Sequence, residues 1–203
     1  MSVAIVDHGA GNLRSLRAGL ARAGAAAVVT ADPDEVAAAG RLVLPGVGSA
    51  AAAMARMRER GLAEAVLHAA GRGAHVLGIC LGMQLLFSRS DEGDCDCLGL
   101  MEGSVRRIDW SRRVPHMGWN DVRASAPHPL TRSLPAVYYF AHSFAVDPGD
   151  GGGVLATTDL DGVELASMVG CGRVAGAQFH PEKSGAAGGL LLARFLEWSR
   201  DAA

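Results

Sequence analysis

The sequence predicts an α/β fold, with a mainly parallel central sheet flanked by helices and additional strands in the C-terminal half. Three observations carry this. As far as Leu86, short apolar runs rich in Val, Ile and Leu alternate with stretches of helical spacing, the rhythm of βαβ units around a parallel sheet. The run Val76–Ile79 stops at Gly78-Ile79-Cys80-Leu81-Gly82, after which apolar spacing resumes as a helix. Beyond Glu102 the chain becomes a series of strand-like segments, closed by one amphipathic helix.

Val3–Val6 reads as the first strand. Leu13–Ala23 carries apolar residues at 13, 16 and 20, one face of a helix. Ala27–Val29 is a second short strand, and Asp32-Pro33-Asp34-Glu35 marks a helix start, with an N-cap acid followed by proline. Leu42–Leu44 is a third strand, ended by Pro45-Gly46. Ala50–Arg60 and Leu62–Ala70 are helical, divided at Gly61, and Val76–Ile79 is the fourth strand. In the second half Ser104–Ile108, Val137–Ala145, Val154–Thr158, Leu165–Val169 and Val174–Gln178 read as strands, Asp147–Gly153 as a turn, and Gly188–Trp198 as a helix with a stripe of Leu191, Leu192 and Phe195. No repeat or linker divides the chain, so residues 1–203 are expected to form a single domain.

Nearly half of the 203 residues are apolar, enough for a sizeable core. The net charge is −2 with Lys and Arg dispersed, and this argues against a nucleic-acid or membrane surface. No apolar run approaches the ~20 residues needed to span a bilayer, and the N-terminus enters a strand at once without a basic region or signal core, so a cytoplasmic protein is expected. The four cysteines, Cys80, Cys95, Cys97 and Cys171, make no disulfide framework, consistent with a reducing compartment. Cys95 and Cys97 sit in an acidic loop, Asp91–Cys97. They lack both Cys-x-x-Cys spacing and a second ligand pair, so no metal or cofactor is expected.

Gly-x-Cys-x-Gly between a strand and a helix is the layout of a nucleophile elbow with Cys80 as the nucleophile. Small residues at 78 and 82 let the backbone crowd together there, and a helix N-terminus favours thiolate. A buried structural cysteine is the plainer reading of a lone Cys in an apolar run. It loses ground because His180-Pro181-Glu182 follows the strand Val174–Gln178. In extended chain His180 and Glu182 would share a side, so that Glu182 could orient the imidazole while its other nitrogen meets a thiol.

Gly46-Val47-Gly48-Ser49-Ala50-Ala51 fits a dinucleotide fingerprint, but after the third strand rather than the first, and without an acid ending the next strand. A better use is electrostatic. Loops at the carboxyl ends of neighbouring parallel strands meet over one crevice, so the Pro45–Gly48 loop could aim N–H groups at an oxyanion formed on Cys80.

Gly78-Ile79-Cys80-Leu81-Gly82-Met83-Gln84 together with His180-Pro181-Glu182 resembles the triad (class I) glutamine amidotransferases. Leu44–Gly48, Pro115–Asn120, Tyr138–Ser143 and Gln178–Ser184 are similar to the glutaminase subunits of imidazole glycerol phosphate synthase, and the resemblance runs from Val3 to the last helix. It implies glutamine hydrolysis with Cys80, His180 and Glu182 as triad. The oxyanion would be held by the Leu81 N–H and the loop bearing Gly46, Val47 and Gly48, and glutamine contacted by Gly48, Gln84 and the backbone around Ser143. It also implies ammonia transfer to a (β/α)₈-barrel cyclase facing Asn12, Met117, Trp119, Tyr139 and Lys183. For Trp119 and Tyr139, core packing is the competing reading. Other readings of the whole chain are a paralogous glutaminase feeding another synthase, a catalytically silent regulatory subunit, and a stand-alone cysteine hydrolase.

Overall fold

The computed structural model describes residues 2–108, 114–132, 134–149 and 153–199. Its first half follows the expected rhythm. The order is β1 (Ser2–Val6), α1 (Leu13–Arg22), β2 (Ala26–Thr30), α2 (Pro33–Ala38), β3 (Arg41–Leu44), α3 (Ala50–Glu59), α4 (Leu62–Gly71), β4 (His75–Ile79) and a single turn, α5 (Leu81–Gln84). Helix α2 begins as its sequence indicates: the Asp32 side chain accepts from the Asp34 N–H at 2.9 Å and Pro33 fills the first turn. Gly61, at φ +68°, makes the corner between α3 and α4.

Next come β5 (Arg89–Ser90), β6 (Cys95–Asp96), β7 (Ser104–Arg107), β8 (His116–Ala124), β9 (Ala136–His142), β10 (Phe144–Asp147), β11 (Val154–Leu160), β12 (Val163–Cys171), β13 (Val174–Ala177) and α6 (Gly185–Trp198). The main sheet runs β2-β1-β3-β4-β13-β12-β11-β8-β9. From β2 to β13 neighbours are parallel, and from β13 to β9 they are antiparallel. A smaller sheet runs β10-β7-β5-β6.

Alternation along the parallel strands feeds two cores. Val6, Leu42, Leu44 and Val76 face α3 and α4 on one side. Val3, Ile5, Val43, Leu77 and Ile79 face α1 and α6 on the other. A strand buried on both faces reads as a continuous apolar run, which is why β3 and β4 do.

Four expectations need correction. Val137–Ala145 is two strands, β9 and β10, broken at Ser143 and assigned to different sheets. Strand β8 was not expected, since its apolar Met117 and Trp119 face outward while His116 is buried. The acidic loop is a small hairpin of β5 and β6, in which Arg89 pairs with Asp94 and, at 3.3 Å, with Asp96. Pro181–Lys183 forms a 3₁₀ turn rather than continuing the extended chain. The turn expected at Asp147–Gly153 falls partly outside the described residues, at 150–152.

Candidate active site

Cys80 stands between β4 and α5 at φ +54°, ψ −111°, a conformation few non-glycine residues adopt. Its neighbours make that turn possible. A Cβ on Gly82 would lie 1.8 Å from the Leu44 carbonyl oxygen, and one on Gly78 would lie 2.6 Å from the Gly82 oxygen. Only glycine fits either place, so the Gly-x-Cys-x-Gly pattern is a packing requirement of the elbow.

Strand β13 lies parallel to β4, and the chain leaving it delivers His180 beside Cys80. The 3₁₀ turn at Pro181 then folds Glu182 back, and His180 Nδ1 donates to Glu182 Oε1 at 2.9 Å. Both side chains are only 4% exposed. Burial by itself would lower the His180 pKa. Hydrogen bonds to Cys80 and Glu182 and the negative charges of both outweigh it, raising His180 to about 9.

The dipole expectation for Cys80 must be reduced. A full helix contributes about 0.3–1 kcal/mol at its end, and the four-residue α5 supplies only part of that. A charge-assisted hydrogen bond contributes ~1.5–3 kcal/mol. His180, rather than α5, is therefore the main group able to stabilise a thiolate here.

The sulfur opens onto a cavity of about 320 Å³. Its walls include Val47, Gly48, Leu81, Gln84, His142, Ser143, Glu92 and Lys183, so the expected glutamine contacts Gly48, Gln84 and Ser143 gather around Cys80. The Pro45–Gly48 loop abuts the elbow, since a Cβ on Gly46 would come within 2.9 Å of Leu81 Cβ. The arrangement joins a thiol, an imidazole held by a carboxylate, and a backbone loop, around a space large enough for an amino acid.

A family model described as glutamine amidotransferase class-I matches residues 4–197. The chain belongs to the class-I glutamine amidotransferase family. It is 45% identical over 203 residues to the imidazole glycerol phosphate synthase subunit HisH of Moorella thermoacetica, covering 98% of this chain and 96% of that one. It is 46% identical over 211 residues to the subunit of the same name from Methylococcus capsulatus, covering 97% and 96%. A crystal structure described as a glutamine amidotransferase superposes with a TM-score of 0.79 at 23% identity, over 98% of both chains. PurLQS from Thermotoga maritima gives 0.75 at 21%, over 99% of this chain and 98% of that one. These two likenesses establish the fold.

Of the expected partner-facing residues, Met117 and Trp119 are 63% and 60% exposed. Trp119 packs edge-on against Tyr139, with ring centres 5.9 Å apart, and Lys183 Nζ lies 5.5 Å from the centre of the Tyr139 ring. Met117 and Lys183 also line the cavity mouth, so this patch is continuous with the site. Asn12 lies apart from it, in a small recess behind the loop with Pro45 and Glu182. The core reading therefore fails for Trp119, while Tyr139 is half-buried.

Several residues at the site were not singled out from the sequence. His8 Nε2 donates to the Pro45 oxygen at 2.8 Å and fixes the start of the loop. Glu92 lines the cavity and accepts the Ala50 N–H at 2.9 Å, so the acidic hairpin has one residue in the site. His142 Nδ1 donates to the Phe144 oxygen at 2.8 Å and its Nε2 meets His116 Nδ1 at 2.9 Å. Burial, helped by charge on His116 and His180, lowers His142 to about 3, so it is neutral and holds the cavity wall without competing for protons. Gln178 links Gln84 to Cys80. A buried polar residue at the end of an apolar run was the one available sign of it.

Proposed function

We infer that this chain is the glutaminase subunit of imidazole glycerol phosphate synthase. It hydrolyses glutamine to glutamate and ammonia and passes the ammonia to a (β/α)₈-barrel cyclase, which makes imidazole glycerol phosphate in histidine biosynthesis. The reading is carried by one observation: Cys80 beside a buried His180–Glu182 pair, in a cavity large enough to admit an amino acid. The full-length likeness to HisH subunits supplies the pathway.

Glutamine enters with its amide over Cys80. Glu92 suits the substrate ammonium and Lys183 its carboxylate, since both line the same cavity. The Cys80 sulfur attacks the amide carbon and His180 holds the thiol proton. The tetrahedral oxyanion is met by the Leu81 N–H and by an N–H of the Gly46–Gly48 loop. Imidazolium then protonates the departing nitrogen, ammonia leaves, and a glutamyl thioester remains. Water, deprotonated by His180, hydrolyses the thioester and regenerates the thiol. Glu182 keeps the ring oriented through both halves.

The exposed Met117 and Lys183 at the cavity mouth, with exposed Trp119 beside them on Tyr139, suit a partner that would receive ammonia there. The protein works in the cytoplasm. Among the described residues no helix is long and apolar enough to cross a membrane.

The free subunit is nearly idle. Glycines flanking Val47 allow the loop peptide two orientations, and only one presents an N–H to the oxyanion. A cyclase with its acceptor shifts the population towards that orientation, and a change from about 1% to 99% competent needs ~5.5 kcal/mol of differential binding. Steady-state glutamine hydrolysis by the subunit alone, with cyclase, and with cyclase plus an acceptor analogue should rise in that order. Equal rates in all three would refute the gating and leave the triad standing.

A further inference from the structure

We propose that Gln178 is a further catalytic residue of this glutaminase: its side-chain N–H is a second donor to the Cys80 sulfur, alongside His180. This rests on Cys80 being the nucleophile, as proposed above.

Gln178 Nε2 lies 3.8 Å from Cys80 Sγ, and the residue is 1% exposed. The direction of the bond follows from the groups behind it. The Phe144 carbonyl can only accept, so the Gln84 amide group facing it at 2.9 Å must be the NH₂. The same Gln84 Nε2 lies 3.1 Å from Gln178, which must therefore turn its oxygen towards Gln84 and its NH₂ towards the sulfur. The Gln84 NH₂ thus donates both to Phe144 and to Gln178, and the chain ends with the Gln178 NH₂ donating to Sγ. A thiol would instead direct its hydrogen at the Ala141 oxygen, 3.9 Å away. Because Ala141 and Phe144 flank the strand break at Ser143, the sulfur is tied to the wall against which glutamine binds.

A neutral amide transfers no proton, so Gln178 adds a donor without adding a competing base. Its hydrogen bond strengthens as charge builds on sulfur, both when the thiol ionises and when thiolate departs from the thioester, and so acts in both half-reactions. Gln84, fixed by the same chain, keeps its own oxygen for the substrate.

The test measures the rate of Cys80 alkylation by iodoacetamide against pH, with the modified residue mapped by mass spectrometry, for wild type and Gln178→Met. Methionine keeps the length and burial and removes the donor. The variant should be alkylated about 10- to 100-fold more slowly at neutral pH, with the rising limb displaced to higher pH. kcat in the cyclase complex should fall by a similar factor, and KM should change by less than about threefold. Gln178→Glu should shift the limb the same way and further. A second measurement needs no substitution: in wild type labelled with ¹⁵N at glutamine side chains, the Gln178 amide proton should move downfield over the pH range in which alkylation rises. A Gln178→Met profile matching wild type, or an amide resonance that stays flat across that range, would overturn the proposal. Glutamine hydrolysis that survives full alkylation of Cys80 would instead overturn the nucleophile assignment.

Discussion

His180 and Glu182 are two residues apart in sequence and meet because a 3₁₀ turn at Pro181 folds one carboxylate oxygen back onto Nδ1 at 2.9 Å. The second oxygen, Oε2, is buried with no hydrogen-bond partner among the described residues. The carboxylate is therefore committed to His180, and little else stabilises it there. Glu182→Gln keeps the shape and removes the charge, so kcat should fall by about 10²-fold and the alkaline limb of activity should move to lower pH. Glu182→Ala should be worse, since it also leaves Nδ1 unpaired in a buried site. Glutamine turnover across pH 6–10 in the cyclase complex checks both, and full activity in Glu182→Ala would return Glu182 to a structural role.

His180 also makes stability depend on pH. Burial alone would lower its pKa, but Cys80 and Glu182 raise it from 6.5 to about 9. A group raised on folding contributes stability that is fully present below the unfolded value and lost as pH climbs through the folded one. Wild type should therefore lose melting temperature between about pH 6.5 and 9 more steeply than His180→Gln. Parallel melting curves over that window would show that the charge interactions are weak.

The last helix offers a paired test of packing. A Cβ on Gly188 would come within 1.8 Å of the Pro181 oxygen, whereas one on Gly189 would meet open space. Gly188→Ala must push α6 away from the turn that carries Glu182, at a cost of about 2–4 kcal/mol and with reduced activity. Gly189→Ala should be neutral or stabilising by up to ~1 kcal/mol, as expected for alanine replacing glycine inside a helix. Urea denaturation of the two variants gives the comparison. At the elbow, Gly82→Ala, facing the Leu44 oxygen at 1.8 Å, should be more damaging still.

Trp119 is 60% exposed and rests on Tyr139, so its replacement should leave the isolated fold intact. Trp119→Ala is expected to weaken the cyclase complex by about 2 kcal/mol, roughly 30-fold in Kd, with an unchanged melting temperature for the free chain. Titration calorimetry of the two subunits measures it.

What the sequence disclosed follows from where its signals are local. The strands β1, β3 and β4 are buried on both faces and read as apolar runs, and the elbow declares itself because Gly78 and Gly82 cannot carry side chains. Strand β8 stayed hidden because its outward face carries Met117 and Trp119 and its inward face His116, reversing the usual alternation. The break at Ser143 is set by two sheets competing for one apolar stretch, and no residue in that stretch announces it. The meeting of Cys80, His180 and Glu182 was legible from short motifs. The Phe144–Gln84–Gln178 chain was not, because it joins three segments that only the fold brings together.

The central claim is that Cys80 is the nucleophile of a glutaminase, and covalent labelling tests it most directly. A glutamine analogue bearing an electrophile in place of the amide should modify Cys80 alone among Cys80, Cys95, Cys97 and Cys171, with loss of glutamine hydrolysis in proportion to the adduct. Cys80→Ala should take up no label and retain less than about 10⁻³ of the activity. Labelling at Cys171, or glutamine hydrolysis that survives in Cys80→Ala, would contradict the account.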